Sequence, residues 1–286
     1  MTRPVRRSKA GGFTLIEIVV VLLIVGIMLA MAAAVTRGVA AAQKRSLTST
    51  RMAAVDAALV QFVQQKRRLP CPADGKKSSA DNTAGLEGAR NAGGCTGNEQ
   101  DGVLPWIDLG LSAADITDGW DRRLTYRLQP ALGGDGGMDM SWCDPAGTEV
   151  GGTPRACNTA CTTAAIASCT PPSDFLATKG LTVKNVAGVT LMQPAPAGIA
   201  AAYVLISHGE TGGGAYLGSG ALATSTVDVD GDEEKKNYAN LPYAAGNYYV
   251  DDTPMEASGA SHFDDIVSRP SLMSVISKAG LGPRPH

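Results

Sequence analysis

The chain has 286 residues and a formal net charge of −2, enough length for one or two domains. That balance provides no basic field of the kind nucleic acid selects, so nucleic acid is not expected as a partner. Glycine is abundant, at 34 residues, while aromatics make up only 5%, which predicts long loops between modest elements.

The N-terminus begins with a basic stretch (Arg3, Arg6, Arg7, Lys9), reaches Gly11-Gly12, and continues as Phe13-Thr14-Leu15-Ile16-Glu17. From Ile18 to Val35 run 18 residues without a charge, and the next cation is Arg37. At ~1.5 Å rise per residue this approaches the ~20 residues that cross a bilayer. The basic leader then stays cytoplasmic and everything after Arg37 faces the periplasm. A lone acid beside a bilayer costs roughly 2.5–3.5 kcal/mol, so Glu17 needs a partner. Cleavage between Gly12 and Phe13 creates one, a new α-amino group four residues away. Two other readings exist, a signal anchor and a secretory signal cut after Ala30-Met31-Ala32 that releases a soluble periplasmic protein. Against the secretory signal, the apolar run exceeds the ~7–15 residues of such leaders and has an acid at its start.

Helical character continues past the apolar run. Met52, Val55, Leu59 and Phe62 recur at spacings of three and four, while Arg51, Gln61, Gln65 and Lys66 take other faces. Pro70 and Pro72 should stop the helix near Arg68. The expected divisions are a leader at 1–12, a membrane or partner-facing half-helix at 13–36, a packed half-helix at 37–69 and a globular head at 70–286.

Six cysteines (Cys71, Cys95, Cys143, Cys157, Cys161, Cys169) lie beyond the apolar segment. An even number on an oxidising side reads as a disulfide framework whose connectivity sequence leaves open. The expectation is Cys71 with Cys95, closing a polar, glycine-rich loop, and the other four among themselves. Cys157 and Cys161 have half of a zinc-site spacing, but no histidine is near them in sequence, so no metal is expected there.

In the head, Leu124–Leu128, Leu181–Val183, Val189–Met192 and Ala202–Ile206 read as strands. Residues 131–173 form a low-periodicity insert, 228–237 a hydrophilic loop and 271–279 a short amphipathic helix. The order is a long helix, a loop and then antiparallel-type strands, which is an α+β class. Trp106, Trp120 and Trp142 are expected to fill the core.

No catalytic constellation emerges, and the chain is not expected to be an enzyme. Ser207 and His208 are neighbours on a strand and so point to opposite faces. Gly209–Gly214 lacks the Gly-Lys-Ser/Thr ending of a phosphate loop. Calcium is the one cofactor for which donors are spaced. Asp228, Asp230 and Asp232 alternate as hard cations require, yet Glu233 and Ala239 occupy the glycine and bidentate-acid places of an EF-hand. The bland reading is a solvated acidic turn.

The leader, Gly12-Phe13, Glu17 and the apolar run together resemble the class III leader of type IV prepilins and type II secretion pseudopilins. The head is similar to a subset of large prepilin-type proteins in the order of Arg68–Pro72, Leu104–Trp106, Leu109–Leu111, Asp118–Trp120, Ser207–Gly209 and Phe263–Ile266. It departs from them at Asp121, where glycine is usual, and at Arg269, where tryptophan is frequent.

This resemblance implies a pilin-like fold, with the helix laid on a small antiparallel sheet and disulfide-tied loops. It also implies cleavage after Gly12 by a prepilin peptidase, N-methylation of Phe13, and docking of Glu17 onto a neighbouring subunit's amino group. The partners implied are other pilin or pseudopilin subunits, the inner-membrane assembly platform and membrane lipid. Without residues 1–12 the subunit is large for a major pilin, which suits a minor subunit of a type IV pilus or pseudopilus. A pilus-tip adhesin has the same leader and is the alternative. By analogy with calcium-binding pseudopilins, Ser207, Asp264 and Asp265 form a second calcium candidate.

Overall fold

The computed structural model describes residues 14–97, 101–140, 172–224, 231–238, 246–255 and 259–282, with side chains at all of these except 30, 32–38 and 172–174. The chain divides into two compact units, Met1–Gln43 and Lys44–His286. One helix, α1 (Leu15–Lys66), contributes to both.

In the first unit every described side chain from Thr14 to Leu29 is exposed, Leu15 by 82%. Among the described residues no helix is long and apolar enough to cross a membrane. Glu17 is in the first turn, and Met31 and Val39 are further exposed apolar side chains of this unit. The leader, Phe13 and the side chains of Ala30 and residues 32–36 lie outside the described residues.

In the second unit α1 buries Met52, Val55, Leu59 and Phe62, the stripe read from sequence, together with Val63. The helix ends at Lys66 because Arg67 turns into the left-handed region (φ 56°), where its N–H still reaches Val63 O at 2.7 Å. The strands, in chain order, are β1 (Ala73–Asp74), β2 (Arg90–Asn91), β3 (Gly94–Cys95), β4 (Gly102–Val103), β5 (Arg122–Arg123) and β6 (Thr125–Leu128). They continue as β7 (Thr182–Lys184), β8 (Thr190–Met192), β9 (Tyr203–Ser207), β10 (Tyr216–Leu217), β11 (Tyr248–Val250) and β12 (Ile266–Ser268). Two short helices, α2 (Pro172–Thr178) and α3 (Leu272–Lys278), complete the set. The main sheet is antiparallel in the order β1-β4-β6-β9-β12.

Strand β9 sets the layering. Tyr203 and Leu205 join the core that holds Val55, Leu59 and Val63 of α1, whereas Val204 and Ile206 join a second cluster with Leu181, Val183, Met192 and Tyr249. Successive strand residues point to opposite faces, so the main sheet is covered on one face by α1 and on the other by the small sheet β11-β7-β8. In that small sheet β11 runs parallel to β7, a departure from the all-antiparallel expectation. A parallel pair needs a long crossover, which the stretch through β9 supplies.

Cys71 and Cys95 are joined as a disulfide across a sequence separation of 24 residues. Cys143, Cys157, Cys161 and Cys169 lie outside the described residues. So does Trp142; Trp106 is buried beside the Arg123 guanidinium and Trp120 is half-buried near Lys44. The hydrophilic loop expected at 228–237 is not simply solvated. Glu234–Asn237 forms a 3-10 turn with Glu234 and Asn237 buried, because Asn237 brackets both backbone groups of Val250 and Glu234 receives backbone amides.

Candidate functional site

Two places concentrate the polar chemistry. The first is the start of α1. Thr14 Oγ1 accepts the Glu17 N–H at 3.4 Å, and a Glu17 carboxylate oxygen accepts the Thr14 N–H at 3.4 Å. This reciprocal arrangement is a capping box, which satisfies two of the orphan donors at a helix N-terminus. Glu17 thus has a local role that the sequence reading did not give it, although Thr14-x-x-Glu17 is the signature of such a box. A carboxylate in the first turn is also favoured by the helix dipole. Gly12 and Phe13, the expected processing site, lie outside the described residues.

The second place is the C-terminal end of β9, where three sequence elements meet. Ser207 Oγ donates to Asp118 Oδ2 at 2.7 Å. The other Asp118 oxygen accepts the N–H groups of Trp120 and Arg122 at 2.8 and 3.0 Å. Gly119 N–H donates to Thr48 Oγ1 on α1 at 2.9 Å, and Arg51 reaches the carbonyls of Thr117 and Asp118. The Asp-Gly-Trp turn is therefore a clamp between helix and sheet. Burial pushes the Asp118 carboxyl above its usual range.

The register of β9 on β12 places Ser207 opposite Ile266, which brings Ser207–Gly209 against Phe263–Ile266. Asp264 accepts the N–H groups of Glu210 and Thr211 at 2.8 and 2.9 Å and the Thr211 hydroxyl at 2.9 Å. Gly209 has a positive φ of 54°, and a Cβ there would lie 2.4 Å from Asp264, so the close approach requires glycine. His208 is buried, and its Nε2 lies 2.8 Å from the Thr125 hydroxyl. Asp265 stands 3.7 Å from Nδ1 and also accepts the Asn237 amide. Burial, reinforced by Arg127 and Arg122, pulls the His208 pKa down to about 3, so the ring is neutral despite that carboxylate. At 3.7 Å the contact is too long for a hydrogen bond that would hold a proton.

Of the two calcium candidates, Ser207, Asp264 and Asp265 are neighbours, all buried and each engaged as above. Asp232 is exposed with Lys235 at 3.7 Å, and Asp228 and Asp230 lie outside the described residues. Another donor group, Glu234, His262 and Asp264, is the one cluster of three His/Cys/Asp/Glu ligands found among the described residues. Sequence reasoning passed over Glu234 and His262. The first stands in an acidic run that reads as solvated, and nothing local marks the second.

A cleft of about 520 Å³ lies between α1 and α3, with Asp56, Val60, Tyr203 and Lys278 on its walls. Asp56 accepts the Tyr203 and Ser268 hydroxyls at 2.9 and 2.8 Å, and burial raises its pKa.

No curated protein and no solved structure matches the chain. The capping box at Thr14 and Glu17 and the exposed apolar helix lie inside the stretch that does match a known pattern. Residues 7–33 match the prokaryotic N-terminal methylation motif, the signature of type IV prepilins and pseudopilins.

Proposed function

We propose that this chain is a minor structural subunit of a type IV pilus or a type II secretion pseudopilus. It is held in the bacterial inner membrane by its N-terminal helix with the head in the periplasm, and is cut after Gly12 by a prepilin peptidase. Phe13 is methylated, and the subunit then joins other pilin or pseudopilin subunits through the assembly platform. The methylation motif at residues 7–33 carries this reading. The run of exposed apolar side chains from Leu15 to Leu29 supports it, because a surface of that kind needs lipid or a neighbouring helix to cover it. Structural subunits with this motif are typically not enzymes.

Glu17 has two separable roles in this scheme, closing the capping box and presenting a charge to a neighbour's Phe13 ammonium. Glu17→Gln keeps a side chain able to close the box but removes the charge, whereas Glu17→Ala removes both. The expected result is that both variants are processed at Gly12 and both fail to enter filaments. Normal incorporation of Glu17→Gln alone assigns Glu17 to capping only, and normal incorporation of both removes the docking role.

A further inference from the structure

A buried cluster where three segments of the head meet has chemistry that the filament role does not use. Glu234, His262 and Asp264 are only 2%, 9% and 7% exposed, and one ligand atom from each lies within 4.8 Å of the others. Glu234 Oε2 meets His262 Nδ1 at 2.9 Å, and Glu234 Oε1 accepts the Asp264 N–H at 2.7 Å.

Charge balance points to a cation. The Asp264 carboxylate is held by the N–H groups of Glu210 and Thr211 and by the Thr211 hydroxyl, three neutral donors that bring no positive charge. Glu234 accepts a further neutral donor, the Gly231 N–H, at 3.2 Å. Among the described residues no lysine or arginine pairs with either carboxylate. Lys235 and Lys236 turn instead to Asp232 and Glu233. Two buried carboxylates facing one imidazole leave the site short of positive charge, and burial makes that shortage costly.

We propose that Glu234, His262 and Asp264 bind a divalent transition-metal ion of the zinc class, through one oxygen of each carboxylate and the imidazole Nδ1. The imidazole sets the class, since calcium and magnesium take oxygen ligands and imidazole suits zinc and its neighbours. Two ligands each ~2.1 Å from a tetrahedral ion are about 3.4 Å apart. Glu234 and His262 already lie 2.9 Å apart, and the group, all within 4.8 Å, closes by side-chain shifts of up to about 1.4 Å. Protons compete with the ion for these ligands, so binding weakens as pH falls. It staples the Glu234–Asn237 turn and the approach to β12 onto the turn at 209–211. This site shares Asp264 with the calcium expectation but differs from it in its other ligands and in its metal.

The test uses the full chain in detergent, stripped with chelator and titrated separately with Zn²⁺, Mn²⁺, Ca²⁺ and Mg²⁺. The expected result is one equivalent of bound Zn²⁺ by elemental analysis and a melting temperature raised by roughly 5–10 °C at a hundredfold excess over Kd. Neither Ca²⁺ nor Mg²⁺ should match that shift, and His262→Gln should lose it. Should that variant fail to fold, competition between the wild-type chain and a chromophoric zinc chelator gives the affinity and stoichiometry alone. Failure to bind Zn²⁺, a larger shift with Ca²⁺, or an undiminished Zn²⁺ shift in a folded His262→Gln overturns the proposal.

Discussion

Ser207 on β9 donates its hydroxyl to Asp118, 89 residues earlier in the chain, at 2.7 Å. The same carboxylate also holds two amides of the turn that grips Thr48 on α1, so one side chain joins sheet, turn and helix. Asp118→Ala leaves one buried and two part-buried donors unmet at about 1 kcal/mol each, for a loss of about 2–4 kcal/mol. Asp118→Asn keeps an acceptor oxygen, and burial already favours a neutral group there, so its loss should be near 1 kcal/mol. Urea midpoints of the two variants check this, and equal losses would contradict the account.

Asp121 follows that turn with φ 63°, in the left-handed region. An L-residue there costs roughly 1–2 kcal/mol, less for aspartate, which tolerates the region. Glycine costs roughly 0.5–1 kcal/mol in backbone entropy. The two nearly offset, so Asp121→Gly should stabilise by only about 0.5 kcal/mol. Asp121→Ala, which keeps the Cβ and loses the tolerance, should destabilise by a similar amount. Opposite signs in a denaturation series are the expected outcome.

His208 makes the head acid-sensitive. Its pKa falls from 6.5 in the unfolded chain to about 3 in the fold. Between those values the unfolded state binds a proton that the folded state refuses, so stability rises with pH. The contribution is complete above pH 6.5 and is lost as pH falls toward about 3, at about 1.4 kcal/mol per pH unit. Asp56 and Asp118, with raised pKa values, act in the opposite sense, adding stability that is lost as pH rises through those values. The difference between wild type and His208→Gln isolates the imidazole. The variant, whose amide can still reach Thr125, should lose that slope, and an unchanged slope counts against a neutral buried ring.

The Cys71–Cys95 bridge closes a long polar loop onto the end of α1. By loop-closure entropy its removal should cost about 3 kcal/mol. A Cys71→Ser/Cys95→Ser double variant compared with the parent by chemical denaturation measures it; a loss below about 1 kcal/mol would place the loop's order in other contacts, such as the Arg68–Glu87 ion pair.

What the sequence revealed follows the range of the interactions. The α1 stripe, the strand from Tyr203 and the final helix were legible because each is written in a local period of two or 3.6 residues. Pro70 marked the helix end within two residues, and the left-handed turn at Arg67 accounts for the difference. The parallel pairing of β11 with β7 was hidden because it depends on partners far apart in the chain. Glu234 was misread for the same reason. Its run looks solvated, and only the fold shows His262 and Asp264, 28 and 30 residues away, closing over it. The capping role of Glu17 is written locally in Thr14-x-x-Glu17, a pattern that the apolar run following it overshadows.

The central claim is that this chain enters the prepilin pathway. The most direct test is mass spectrometry of the mature N-terminus of the protein isolated from its native membranes. The account predicts N-methyl-phenylalanine at Phe13, with residues 1–12 absent. A chain that begins at Ala33, or retains Met1, would contradict it.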